Sequence, residues 1–507
     1  MRFRIVARCC ALVSGVVSLC MVFPVIWSGL DKSADFTAFT FSIAFGLTAS
    51  YAFFRLAGSA GDAKAESLGI REAVAVVVLS WITAAAIGAL PYYTSDALPR
   101  FTDAFFEAMS GFTTTGATVL ADVEAVPRGL LFWRAMTHWL GGMGIIVLSL
   151  AVLPFLGMSG MELYKAESPG PTPEKMTPRM RQTALWLWGV YVLLTACETA
   201  LLSCELDFFD ALAHSLSTIA TGGFSTKNAS IAAYNSPYVE WVATVFMFLS
   251  GLNFSVHFLV LTNFSRFSKA GFLRVLKETM RKITLDSECG FYTKVVAVSS
   301  LTVFVSLLLS PVTRFWSVEQ SLRASFFQVV SVVSTTGFVA EHHSVWLPFV
   351  RVLLIILMLI GACAGSTGGG IKMVRAAGAL RLFRSETVAL LHPRAVLVER
   401  GDGRLSNGRR SAGAALSSTA AFFVAYILIF FASSLLVSLF DIDIGTVFSL
   451  VLSSMSNVGP ALGFMPPGSY APLPWAVKWI LGFCMLAGRL ELYPAILMFS
   501  PETWRRR

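Results

Sequence analysis

Four times in this chain a serine stands six residues ahead of a glycine, each time in a short polar stretch between two apolar runs of helix length. The pairs are Ser110 and Gly116, Ser217 and Gly223, Ser331 and Gly337, and Ser453 and Gly459. An apolar residue lies eleven before each glycine: Phe105, Leu212, Phe326 and Phe448. The residues leading into the glycines are Thr113-Thr114-Thr115, Ala220-Thr221-Gly222, Ser334-Thr335-Thr336 and Ser456-Asn457-Val458. One such stretch is an ordinary turn. Four at matching offsets read as four copies of one unit: membrane helix, short re-entrant helix, extended polar loop, membrane helix. Irregular backbone at membrane depth is tolerated only where protein buries it or water lines it. Four loops meeting on one axis can aim carbonyls inward and replace a cation's hydration shell. Glycine permits positive φ and leaves no Cβ in the lumen. The threonines are expected to hold the backbone extended.

Composition agrees with a membrane setting. The 507 residues are 55% hydrophobic and 14% charged, against about 25% charged in soluble domains. A spanning helix needs about 20 apolar residues, and the chain offers about ten such segments beside the four short ones. The expected fold is therefore an all-α integral membrane protein. Four pseudo-symmetric helix–pore-loop–helix repeats surround one pore, preceded by an accessory helix hairpin. The expected division is 1–71 for the hairpin and linker, 72–182 for repeat one, 183–290 for repeat two, 291–410 for repeat three and 411–507 for repeat four. The first apolar segment, about 9–30, reads as an uncleaved helix, since it is long and shows no clear small-residue cleavage site.

The net charge of +9 does not point to nucleic acid, because its distribution is an orientation signal. Of the 39 Lys and Arg, 29 fall in the N-terminus, the linkers, the C-terminus and the membrane exits beside them, and nine on the other side. The positive-inside rule places both termini and every linker in the cytoplasm. Asp103 and Asp210, at the start of their short helices, read as helix caps. The eight cysteines form no C-x-x-C, and the six histidines have no metal spacing.

Two features depart from plain apolar helix. Gly361-Ala362-Cys363-Ala364-Gly365-Ser366-Thr367-Gly368-Gly369-Gly370 interrupts an apolar run that begins near Leu347. Glycine costs about 1 kcal/mol in a helix interior, so a continuous helix is not expected there. Lys372 marks either the inner edge of that break or the lipid interface. Arg489 lies deep in the last apolar segment, where a charge costs at least about 2.5–3.5 kcal/mol. It should face a pore or a partner, and Glu491, two residues away, is on another face.

Taken together, these residues resemble the Trk/Ktr/HKT potassium-uptake superfamily over essentially the whole chain. The four loops at 113–117, 221–225, 335–338 and 457–460 are similar to its filter loops. His138-Trp139-Leu140-Gly141-Gly142-Met143-Gly144 resembles the start of its first inner helix, and the 365–372 run its broken third inner helix. The extra hairpin points to the bacterial TrkH branch. The resemblance implies a filter of Thr114, Thr115, Gly116, Thr221, Gly222, Gly223, Thr335, Thr336, Gly337, Asn457, Val458 and Gly459, with potassium as the transported ion. Glycine rather than serine in all four loops favours potassium over sodium. Gly222 is an alternative to Gly223; the offset from Ser217 favours Gly223. The Asn457-Val458 loop is expected to contribute less regularly.

The resemblance also implies a gate of Gly365, Ser366, Thr367, Gly368, Gly369, Gly370 and Lys372, with Arg489 beneath the filter, tuning cation occupancy and touching the glycine loop. It implies a homodimer in the bacterial cytoplasmic membrane, with lipid around it and a cytosolic TrkA-type nucleotide-binding ring controlling flux. No organic cofactor and no enzymatic activity are expected in this chain. The alternative is a proton- or sodium-coupled carrier, which predicts inverted repeats and midplane ionisable residues.

Overall fold

The computed structural model describes residues 3–58, 70–144, 180–264, 287–341, 345–392, 409–461 and 469–504. The proline-rich and basic linkers expected near 165–181 (as far as residue 179), 266–282 and 394–404, and the second half of the helix expected at 131–156, lie outside the described residues.

Helices dominate throughout. Among the described residues six are long and apolar enough to cross a membrane: Phe3–Asp31, Asp35–Ala57, Arg71–Thr94, Ala184–Leu202, Glu288–Leu309 and Thr419–Ser438. The first is two helices in sequence, α1 (Phe3–Cys20) and α2 (Val22–Asp31), and with α3 (Asp35–Ala57) it makes the accessory hairpin. Ser14 Oγ donates to the Gly46 carbonyl at 2.8 Å and Ser50 Oγ to that of Ala11 at 2.7 Å, joining the two arms. The outward faces of α3 and of the Thr419–Ser438 span carry exposed Phe41, Phe45, Phe54, Leu428, Phe431 and Leu435, as a surface in contact with lipid tails would.

Four spans are each followed by a short helix: α4 (Ile70–Thr94) by α5 (Phe101–Phe112), α7 (Met180–Leu202) by α8 (Phe208–Ile219), α11 (Ser287–Leu309) by α12 (Val318–Val333), and α15 (Arg409–Ser438) by α16 (Ile444–Ser456). Each short helix is nearly all buried along its second half. A second helix then leads back: α6 (Arg128–Gly142), α9 (Pro237–Ser250), α13 (Pro348–Ile360) and α17 (Trp475–Arg489).

Three of these returning helices differ from the expectation of unbroken spans, while the third in chain order, α13, breaks where its glycine run led one to expect. They are 15, 14, 13 and 15 residues long, roughly 20 Å at 1.5 Å per residue, too short for a ~30 Å core. Each then breaks. Met143 ends α6 and Gly144 takes φ +71°. A 101° bend separates α9 from α10 (Phe254–Phe264). The twelve residues 361–372 separate α13 from α14 (Met373–Leu391). Glu491 and Leu492, at φ +54° and +65°, separate α17 from α18 (Tyr493–Phe499). The first and third breaks coincide with glycine clusters, Gly141-Gly142-Met143-Gly144 and 361–370; the second and fourth carry only single glycines, Gly251 and Gly488.

The capping expectation is corrected. The N-cap of α5 is Arg100, with no side-chain cap, and Asp103 instead meets Lys478 Nζ at 2.7 Å. In α8 the cap is Asp207, accepting from Phe209 N at 3.2 Å, while Asp210 accepts from Thr226 Oγ1 at 2.7 Å. The largest buried apolar cluster joins α1, α4, α5, α6 and α17. The first and last quarters of the chain thus close on each other, while a second cluster fills the space between α9, α11, α12 and α13.

Candidate ion-conduction site

All four short helices end in the same way. The residue two before each glycine is left-handed: Thr114 at φ +53°, Thr221 at +53°, Thr335 at +63° and Asn457 at +53°. The next amide, from Thr115, Gly222, Thr336 or Val458, donates back to the carbonyl of Ser110, Ser217, Ser331 or Ser453 at 2.9, 2.9, 2.9 and 3.1 Å. The left-handed residue donates to Gly111, Thr218, Val332 or Ser454 at 3.0, 2.9, 3.1 and 3.3 Å. This is the Schellman arrangement, with its 6→1 and 5→2 bonds. The serine-to-glycine spacing is therefore the footprint of a helix terminus followed by a second left-handed residue.

Thr114, Thr221 and Thr335 are left-handed, not extended as the sequence led one to expect. A β-branched residue at positive φ is strained, and each is held by side-chain bonds. Thr335 Oγ1 accepts from Gly369 N at 2.8 Å, Thr221 Oγ1 donates to the Ala220 carbonyl at 2.7 Å, and Thr114 Oγ1 accepts from Arg489 at 3.2 Å. Asparagine tolerates this region better. Asn457 keeps the common backbone and reaches the first loop, donating to Thr115 Oγ1 at 3.0 Å and to the Met485 carbonyl at 2.9 Å.

Gly116, Gly223, Gly337 and Gly459 all take positive φ, +81°, +80°, +79° and +97°. Gly223, not Gly222, is thus the conformational equivalent in the second loop. The space a Cβ would occupy is filled by the neighbouring loop's backbone. At Gly116 it is the carbonyl oxygen of Gly222, at Gly223 that of Thr336, at Gly337 that of Val458, and at Gly459 that of Thr115. First meets second, second third, third fourth, and fourth first. The four loops form a closed ring, and any side chain at these positions would open it.

The glycine-rich loop lies against this ring. Its two ends meet: Ile371 N donates to the Leu359 carbonyl at 3.3 Å and Lys372 N to that of Ile360 at 2.9 Å, so residues 361–370 bulge from a nearly continuous helical path. Thr367 Oγ1 donates to the Ile219 carbonyl at 3.0 Å and lies 3.3 Å from Thr221 Oγ1. A Cβ at Gly369 would fall on Ser456 O and Asn457. Lys372, at φ +79°, is buried, and its Nζ donates to the Gly368 carbonyl; it is not at a lipid interface.

Arg489 completes the contact. Nη1 donates to Thr367 O at 2.6 Å and to Thr114 Oγ1 at 3.2 Å; Nη2 donates to the carbonyls of Gly141 and Gly142 at 2.6 and 2.9 Å. Thr114, Thr221, Thr335 and Asn457 therefore each lie against this loop or the arginine that holds it.

Several participants were not singled out from sequence. Glu288 Oε1 accepts from Ala364 N at 2.6 Å and from Val374 N at 3.1 Å, gripping both feet of the loop. Glu491, weighed from sequence only as a partner for Arg489, pairs instead with Arg375, whose guanidinium lies 4.0 Å from the Phe422 ring. Arg134 pairs with Glu107 at 2.8 Å, both buried. These partners lie 27 to 116 residues apart, and no local pattern links them. His138 stacks on Phe224 at 4.0 Å and His214 bonds to Asp210 O and Ser225 Oγ; both are packing residues. Among the described residues no group of His, Cys, Asp and Glu could hold a metal ion.

The fold is that of an all-helical, multi-pass membrane protein whose irregular backbone is gathered into one buried ring, the construction of a transport protein rather than an enzyme. The chain belongs to the TrkH cation transport family, whose model, described as a cation transport protein, matches residues 40–506. It is 37% identical to the Trk system potassium uptake protein TrkH of Escherichia coli strain K12 and 38% identical to that of Salmonella typhimurium strain LT2, in each case covering 100% of both chains. The crystal structure of the potassium transporter TrkH from Vibrio parahaemolyticus is similar over 100% of both chains, with a TM-score of 0.84 and 32% identity.

Proposed function

We propose that this chain conducts potassium inward through the ring of four loops, in a channel-like manner and without covalent chemistry. The observation that carries the reading is the ring's closure, with each filter glycine packed on the carbonyl of the next loop. Carbonyls of Thr115, Gly222, Thr336 and Val458 are the ligands nearest that closure, with Thr114, Thr221, Thr335 and Asn457 beneath them. Membrane potential supplies about 2.3 kcal/mol per charge per 100 mV, enough to drive uptake. The names of the relatives support potassium as the ion.

The glycine-rich loop and Lys372 act as the gate, closed when Arg489 holds the loop to the ring; the loop's contacts with the ring support this reading. In a bilayer the architecture is four helix–loop–helix repeats and a hairpin, about ten spans and four re-entrant helices, with both termini cytoplasmic. A homodimer and a cytosolic TrkA-type ring fit the same reading, the ring drawing the loop aside. Restoration of growth at low potassium in an uptake-deficient bacterial host tests it, with and without the cytosolic partner. The expected result is rescue that depends on the partner. Sodium accumulation with no potassium uptake would overturn it.

A further inference from the structure

Behind the first loop lies a buried ion pair that the conduction reading does not use. Glu107, on α5, is fully buried, and Arg134, on α6, nearly so. Glu107 Oε1 accepts from Arg134 Nε at 2.8 Å and from Thr118 Oγ1 at 2.9 Å; Oε2 accepts from Val119 N at 2.8 Å. The carboxylate thus holds the two residues through which the first loop leaves the ring. Arg134 turns its other end to the second loop. Nη1 donates to the Ser225 carbonyl at 3.0 Å, and the guanidinium lies 4.1 Å from the ring centroid of Phe224. Phe224 follows Gly223 directly.

The tie continues to the fourth loop. Tyr470 N donates to the Thr118 carbonyl at 2.7 Å, and Tyr470 Oη donates to that of Gly459 at 2.6 Å. One charged pair therefore fixes the exits of loops one and two, and through Thr118 that of loop four. The other three short helices carry His214, Gln328 and Leu450 at the offset of Glu107, so no other repeat supplies a carboxylate there. His214 serves the same exit, its Nε2 bonding Ser225 Oγ at 2.9 Å.

We infer that Glu107 and Arg134 are positioning residues for ion discrimination: they set how strongly the ring prefers potassium over sodium by fixing the exits of the first two loops. The inference rests on the filter reading above. Discrimination by a ring of carbonyls needs its members held within about 0.5 Å. Charge-assisted, fully buried hydrogen bonds are the stiffest ties available for that purpose. A pair kept only for stability would instead be expected to alter protein yield and leave the preference among ions intact.

The test is potassium uptake with sodium competition in uptake-deficient cells carrying the full chain and its cytosolic partner. Glu107→Gln should lower the potassium-over-sodium preference at least about tenfold, raising the apparent KM for potassium while partner-dependent control of flux persists. Thr118→Val removes the hydroxyl that donates to the carboxylate and accepts from Leu120 N at 3.2 Å, and should shift preference the same way by less. Glu107→Asp should recover part of it. Where Glu107→Gln fails to reach the membrane, Thr118→Val and Arg134→Lys decide. Unchanged preference in those variants at normal membrane levels would overturn the inference. Gly116→Ser run alongside separates the two levels. If it alters preference and the others do not, only the positioning role falls. If it too leaves preference unchanged, the filter reading falls with it.

Discussion

Arg489 Nη1 donates to the Thr367 carbonyl at 2.6 Å, joining the last returning helix to the middle of the glycine-rich loop. The same guanidinium reaches Thr114 in the first loop and two carbonyls at the end of α6. Four acceptors from three parts of the chain converge on one cation, so its removal releases all three. Arg489→Gln keeps some donors but loses the charge and the fork. Hydrogen bonds to a charged group contribute about 1.5–3 kcal/mol each. The loop's closed position should weaken accordingly, and potassium flux without the cytosolic partner should rise about tenfold or more. Isotope uptake in the partner-free host measures it; flux at the parent level would count against Arg489 as the loop's restraint.

Glu288 offers a second, independent way to loosen the same loop. Its carboxylate accepts from Ala364 N and Val374 N, one at each foot. Glu288→Gln leaves an oxygen acceptor but no charge. Partner-independent flux should rise, with ion preference unaltered because the ring itself is untouched. A shift in preference would show that the residue acts on the ring and not on the loop.

The loop can also be excised without parting its ends. Gly361 and Gly370 lie so close that a Cβ on Gly361 would be 3.1 Å from the Gly370 Cα. Deleting 362–369 should therefore let α13 run on toward α14, and uptake without the partner should increase. If the shortened chain reaches the membrane and its uptake is unaltered, the loop is not the gate.

A side chain at a ring glycine has a different outcome. Gly337→Ala puts a methyl onto the Val458 carbonyl at φ +79°. The left-handed conformation alone costs about 1–2 kcal/mol for an L-residue, and the clash must spread the third and fourth loops. Potassium uptake should fall to background while the protein still inserts, as membrane immunoblotting would verify. Full uptake would refute the ring.

Lys478 and Asp103 tie α17 to the start of α5 at 2.7 Å, and Arg323 and Glu240 tie α12 to α9 at 2.5 Å. Each joins a returning helix to the short helix of the next repeat. Removing one partner of a well-buried pair is expected to cost several times a surface pair's ~0.2–1 kcal/mol. In a double-mutant cycle on Lys478→Met and Asp103→Asn, thermal stability in detergent should show coupling of about 1 kcal/mol or more. Additive effects would mean that the pair contributes nothing of its own.

The sequence by itself determined the count and spacing of the loops. A helix terminus with two left-handed residues is a local structure, and its demand for Ser110 to Gly116 and its three echoes is written within seven residues. Membrane class and the third break were equally local, since both follow from apolar length and glycine content. Tertiary structure decided the rest. The offset from Ser217 already favoured Gly223 over Gly222, but that the Thr336 carbonyl, from more than 110 residues away, packs against Gly223 is set by ring closure. The breaks after Ser250 and Arg489 carry no dense glycine signal, because packed neighbours and not chain entropy make them, whereas the one after Gly142 lies in Gly141-Gly142-Met143-Gly144. Arg489 announced itself as a charge out of place, but its acceptors at Thr114, Gly141, Gly142 and Thr367 are brought together only by ring closure. The same holds for Glu107 and Arg134, whose meeting depends on how α5 and α6 pack.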